Sequence, residues 1–228
     1  MIQPSTIALD GPAASGKSTL GQMVAQHFGY LYFDTGILYR AITWLALDQD
    51  MNLADAAALA ELAQRTTFTV LPPTLADGRQ YTVLANDADL TWALRSAQVE
   101  QHVSQVASHP LVRDVLRDQQ RRIGRAGRVV MAGRDIGVVI MPDADLKIYL
   151  DASVEERALR RTTELQSRGQ TVEYADVLAD LVRRDARDAQ NTFRAADALV
   201  LRTDGRTPQQ LLNDIVALLD GTNVQTAA

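Results

Sequence analysis

Gly11-Pro12-Ala13-Ala14-Ser15-Gly16-Lys17-Ser18 decides the reading of this chain. The octet fits G-x-x-x-x-G-K-[ST] without a gap. It follows the apolar run Thr6-Ile7-Ala8-Leu9, stopped by Asp10, and opens a stretch in which Leu20, Val24, Ala25 and Phe28 recur at helical spacing. A buried strand, a glycine-bounded turn and a helix start, in that order, make a cradle for an anion. The glycines let the backbone wrap closely with its N–H groups inward, and the helix presents its positive dipole end. From such a position Lys17 can reach the β- and γ-phosphates of a nucleotide, and the Ser18 hydroxyl can ligate Mg²⁺.

Outward from the loop, strands and helices alternate. Leu31-Tyr32-Phe33 is a second short strand, and helices are expected from about Ile37 to Asp48 and from Ala54 to Gln64. The pattern then changes to β-rich composition at 67–71 and 81–84, with Pro72-Pro73 and Asp77-Gly78 as turn signals between. These read as an antiparallel insertion. Helical spacing resumes near Arg95, runs through Ser108, and restarts after Pro110 to about Arg125. Val129–Ala132 and Leu146–Leu150 read as core strands, and Ala198–Leu201 as a late one. Helices are expected at 154–166, 172–189 and 208–219, and the small polar residues 221–228 are expected to fray. The fold class is therefore α/β: one domain over 1–228, with a parallel sheet carrying helices on both faces.

Composition excludes several chemistries. With no cysteine there are no disulfides, thiolate metal sites or cysteine nucleophiles, which fits a reducing, cytoplasmic setting. Met1-Ile2-Gln3-Pro4-Ser5 shows no signal peptide, and no apolar run approaches the roughly 20 residues of a membrane span. A formal net charge of −5 argues against a nucleic-acid partner. Only Lys17 and Lys147 are lysines; the other 21 of the 23 basic residues are arginines. A coding bias accounts for much of this, and arginine forks also grip phosphate bidentately.

The chain lacks the Asn-Lys-x-Asp of purine GTPases, and the strand at 129–132 ends in Ala132 rather than an acidic pair. Both absences point to small kinases. A phosphorylated acceptor beside a nucleotide triphosphate needs several fixed cations. Three stretches supply them: Asp34-Thr35-Gly36 with Arg40 at a strand-to-helix junction, Gly133-Arg134-Asp135 at the carboxyl end of a core strand, and Arg183 to Asp188 on a helix. In the last, Arg184 and Asp188 share a face.

With these stretches in view, the sequence resembles the bacterial cytidylate kinases, a branch of the nucleoside monophosphate kinases. The likeness runs through 7–18, 34–40, Ser104-Gln105-Val106-Ala107 with Pro110 and Arg113, Gly133-Arg134-Asp135-Ile136-Gly137, 148–153 with Glu156-Arg157, and Arg184-Asp185 to Asp188. The resemblance implies phosphoryl transfer from ATP, with Mg²⁺, to CMP and dCMP by a monomer. It implies an ATP site of Gly11 to Thr19 with Arg157 and Arg161, and a helical lid over 154–170 that includes Arg160. It makes the segment 66–96 a monophosphate-binding insertion. The acceptor side falls to Thr35, Arg40, Ser104, Arg113, Arg134, Asp135, Arg184 and Asp188. Of these, Ser104, Arg113 and Asp135 match base-reading positions, and the chemistry agrees: Asp135 suits the cytosine amino group, while Arg113 and Ser104 suit its O2 and N3. Lys17, Arg40, Arg134 and Arg157 are the catalytic set, Ser18 the Mg²⁺ ligand, and Asp10 a carboxylate that could act on the metal through water.

Two departures stand out. Ala132 occupies a position that is usually acidic in the family. The stretch after Asp188 is short, so a family arginine expected there is replaced by Asn191, or by Arg194 after a shift. Two other readings compete: a related kinase for a different acceptor, such as shikimate or dephospho-coenzyme A, and a nucleotide-binding regulator that has lost catalysis.

Overall fold

A computed structural model describes residues 3–220; the fraying expected of 221–228, and the first two residues of the N-terminal reading, lie outside them. Eight strands and eight α-helices alternate among the described residues. Strands β1 (Thr6–Asp10), β2 (Leu31–Asp34), β6 (Val129–Gly133), β7 (Leu146–Asp151) and β8 (Leu199–Arg202) form a five-stranded sheet in the order β2-β6-β1-β7-β8. The backbone divides into two compact units. One holds the described residues up to Gly29 and from Val130 onward; the other is Tyr30–Val129.

In the first unit β1 runs parallel to β7, with Ile7 beside Leu146 and Asp10 beside Tyr149, and β7 runs parallel to β8. Ile7, Ala8 and Leu9 are all buried, as a strand covered on both faces requires. The helices here are α1 (Lys17–Phe28), α6 (Val154–Ser167), α7 (Tyr174–Asp188) and α8 (Pro208–Leu219). Their starts follow local chemistry. Ser153 caps α6 by accepting from Glu156 N, and Thr207 and Gln210 form a reciprocal capping box on α8 with Pro208 in its first turn. One feature was not expected from the pattern: a single π-helical turn at Ile136–Ile140, directly after Asp135.

The second unit contains α2 (Gly36–Asp48), α3 (Ala56–Arg65), α4 (Ala97–Ala107) and α5 (Pro110–Arg125). It also holds a separate antiparallel sheet, β3 (Phe68–Leu71), β4 (Thr82–Ala85) and β5 (Ala88–Asp89). The expected insertion is thus present, with one more strand than the composition suggested. Asn86 and Asp87 both take positive φ, 46° and 70°, and join β4 to β5 in a two-residue hairpin. Arg79 ties the insertion together from a buried position, donating to Asp77, Asp89 and Thr82. The helix expected from Arg95 starts later: 93–95 is a 3₁₀ turn, and Ser96 caps α4 through Val99 N.

Candidate active site

The loop between β1 and α1 has the conformation its sequence predicts. Gly11 sits at φ +150° and Gly16 at φ +92°, and Gly16 is the N-cap of α1. A Cβ on Gly11 would lie 2.5 Å from the Leu150 carbonyl oxygen, so only glycine fits there. Around Gly16 there is nothing within 4 Å of such a Cβ, which leaves open space over the helix start. Lys17 Nζ folds along the loop and donates to the carbonyls of Gly11 (2.8 Å) and Pro12 (2.6 Å). Ser15 is buried, whereas Ser18 and Thr19 are exposed on the first turn of α1.

These residues suit the groups a kinase needs. The α1 N-terminus and the lysine suit a triphosphate. Mg²⁺ takes oxygen ligands, keeps several waters, and is held mostly by substrate phosphates with one or two protein groups. An exposed Ser18 hydroxyl beside the loop meets that demand. Asp10 is placed differently. It is buried, and each of its oxygens accepts a backbone N–H from the π-helical turn: Oδ1 from Ile136 and Oδ2 from Gly137, both at 2.8 Å. Burial raises its pKa to about 6, with the two N–H donors opposing the rise.

The remaining predicted residues of the first unit fall into two groups. Arg134, at the end of β6, pairs with Asp188 Oδ2, and Arg184 Nε lies 3.7 Å from the same oxygen. The carbonyl of Asp135 accepts from Val139 N at 2.7 Å, which starts the π-helical turn. Arg134, Arg184 and Asp188 are thus brought together. After α7 a 3₁₀ turn covers 189–191, and Phe193 N donates to the Arg134 carbonyl at 2.8 Å. Of the two candidates for the missing arginine, Asn191 ends this turn and Arg194 directly follows the residue bonded to Arg134. Ala132 is buried within β6.

The second group lies on α6, where the sequence leads one to expect a lid. Arg161 pairs with Glu164, and Arg160 with Glu156 and Thr203. Arg157 is unlike them. It is only 4% exposed, and its guanidinium forms a bidentate pair with Asp185 while donating to the carbonyls of Ala13 and Ala152. Sequence reasoning assigned Arg157 and passed over Asp185, although Arg184-Asp185 was among the matching stretches.

In the second unit Thr35 is buried at the N-cap position of α2 without a side-chain capping bond, and Gly36 N donates to Asp34 at 2.9 Å. Arg40, on α2, pairs with Glu100 of α4 at 2.8 Å. Arg113, on α5, stacks its guanidinium over the Tyr39 ring at 5.7 Å from the centroid. Ser104 is an exposed residue of α4. The partner Glu100 had no distinguishing signal in the sequence.

The family description "Cytidylate kinase" matches residues 7–220. A cytidylate kinase of Herpetosiphon aurantiacus is 66% identical over 219 residues, 96% of each chain. One from Chloroflexus aggregans is 54% identical over 92% of this chain and 91% of its own. Among solved structures, an uncharacterized protein from Eubacterium ventriosum has a TM-score of 0.50 at 10% identity, covering 96% of this chain and 99% of that one, a likeness of fold alone. On the strength of the match over nearly its whole length, the chain belongs to the cytidylate kinase family.

Proposed function

We propose that this chain transfers the γ-phosphoryl group of ATP to CMP, and to dCMP, as a monomeric cytoplasmic enzyme with no nucleic-acid or membrane partner. Among the described residues no helix is long and apolar enough to cross a membrane. The 66% identity to a cytidylate kinase across nearly the whole chain carries the reading. The loop from Gly11 to Ser18 supports it with a conformation suited to a triphosphate.

Phosphoryl transfer asks for alignment and charge neutralisation rather than covalent help from the protein. Lys17 stabilises charge on the transferring group, aided by Arg161 of the lid. Mg²⁺, when bound, would neutralise the phosphate oxygens; Ser18 is the side chain that would hold it, and Asp10 could reach it only through water. Arg40 and Arg134 orient the acceptor phosphate. Ser104, Arg113 and Asp135 read the base, and Arg184 and Asp188 lie by the ribose. A lid over 154–170 excludes water and so suppresses ATP hydrolysis.

The test is ADP release with CMP, dCMP, UMP, AMP or GMP as acceptor. CMP and dCMP should exceed the purine nucleotides at least about a hundredfold, because a site built to hydrogen-bond one base leaves its polar groups unpaired against another. Equal rates with all acceptors, or none dependent on an acceptor, would sink the reading. Release driven by shikimate or dephospho-coenzyme A instead would identify a different kinase.

A further inference from the structure

Arg157 is the most deeply buried of the arginines assigned to the site, and its surroundings do not resemble a side chain waiting in solvent. Nε donates to the Ala152 carbonyl at 3.2 Å, and Nη1 to the Ala13 carbonyl at 3.1 Å. Asp185 takes the rest of the fork, with Nη1–Oδ1 at 3.1 Å and Nη2–Oδ2 at 2.6 Å. Ala13 belongs to the phosphate-binding loop, Arg157 to α6 and Asp185 to α7. One guanidinium therefore ties the loop to both helices.

Packing around it repeats the connection. Ala13, Ala158, Val177 and Leu181 form a buried apolar cluster, with Ala14, Val154 and Leu178 against its edge. The two alanines of the loop thus rest on α6 and α7. A bidentate arginine–carboxylate pair fixes orientation as well as distance. The peptide whose carbonyl Arg157 holds lies two residues before Ser15, and the amides that follow must face a phosphate. Ala14, the next residue, takes φ +59°, an unfavourable conformation for alanine that the surroundings must hold in place.

We propose that Asp185 is a positioning residue for the nucleotide loop. It locks Arg157 so that the guanidinium holds the Ala13 carbonyl, which keeps the loop amides pre-aimed at the donor phosphates. Asp185 touches neither substrate; it acts through Arg157. Its side chain is about a third exposed, so it is reachable by water and replaceable without burying a new group. The inference rests on the ATP-donor reading above and is independent of which acceptor is used.

The test compares wild type with Asp185→Asn and Asp185→Glu. Affinity for ATP is measured by titration calorimetry without acceptor, and KM for ATP and for CMP in steady state. Amide hydrogen exchange of the peptide covering 12–18 is followed in the nucleotide-free protein. Asp185→Asn should weaken ATP binding roughly tenfold, the scale of a lost charge-assisted bond, and speed loop exchange. KM for CMP should stay within about twofold. Asp185→Glu keeps the charge but shifts the fork and should fall between; it also serves if the asparagine variant does not fold. A purely structural role would lower the melting temperature and leave ATP affinity and loop exchange of the folded protein unchanged, which overturns the proposal. Equal weakening of both substrates overturns it too. Failure of wild type to phosphorylate CMP, with ATP binding and its dependence on Asp185 intact, would remove the acceptor reading alone.

Discussion

Gly137 donates its backbone N–H to Asp10 Oδ2 at 2.8 Å, and its missing side chain leaves that carboxylate close access to the chain. A Cβ at Gly137 would lie 3.4 Å from the same oxygen and 3.3 Å from a side-chain carbon of Lys147. The strand that leads into the phosphate loop is thereby joined to the turn that follows Arg134 and Asp135. The join uses a buried carboxylate with a raised pKa, and this has a consequence for stability.

Because burial lifts Asp10 from the ordinary carboxylate range to about 6, the folded state holds its proton more tightly than the unfolded state. The stability penalty is absent below about pH 4, grows as pH rises towards 6, and is complete above it. The shift corresponds to about 3 kcal/mol at pH 7. Asp10→Asn removes the titration while sacrificing one N–H acceptor. Urea unfolding from pH 4 to 7 should show the wild type losing stability relative to the variant by about 2–3 kcal/mol. Parallel stability curves would contradict the assignment.

The two glycines of the loop should differ in kind. Gly11→Ala forces a Cβ against the Leu150 carbonyl, a backbone clash that the flanking strand cannot relieve. It should cost more than about 3 kcal/mol and abolish ATP binding. Gly16→Ala meets no atom, so only its positive φ is penalised, by about 1–2 kcal/mol. Thermal unfolding of both variants measures the difference; equal losses would count against the steric account.

Lys17→Met keeps the aliphatic stem and removes the cation. Its Nζ donates to two loop carbonyls, so unfolding free energy should change by about 1 kcal/mol. Loss of charge stabilisation should lower kcat at least about a hundredfold. A variant within tenfold of wild type would remove Lys17 from the catalytic set.

Ala132 is 1% exposed, so Ala132→Asp inserts a carboxylate into the strand interior and should lower stability by about 1–3 kcal/mol at pH 7. If a carboxylate at this position serves the metal, the variant should also reach half-maximal activity at several-fold lower Mg²⁺. Stability loss with unchanged Mg²⁺ dependence would show that the chain works without that carboxylate. A wild-type rate equal to buffer would instead favour a regulator.

By itself the sequence determined the loop, the alternation of strands and helices, and the antiparallel insertion. Each of these is written in neighbouring residues: glycines that bound a turn, short apolar runs, helical spacing, and proline and glycine turn signals. Partner choice was decided only by the tertiary structure. Asp10 bonds to Ile136, 126 positions away. Arg157 meets Asp185 and the Ala13 carbonyl, and Arg40 meets Glu100. With 23 basic and 28 acidic residues in the chain, every arginine has many carboxylates that would satisfy it equally well. No local pattern ranks them, because ion pairing depends on distance and burial, which exist only once the helices and the sheet have packed. Strand β5 and the π-helical turn escaped for a related reason. Asn86-Asp87 lacks the glycine that usually marks a tight hairpin, and the turn at 136–140 forms around a carboxylate supplied from another strand.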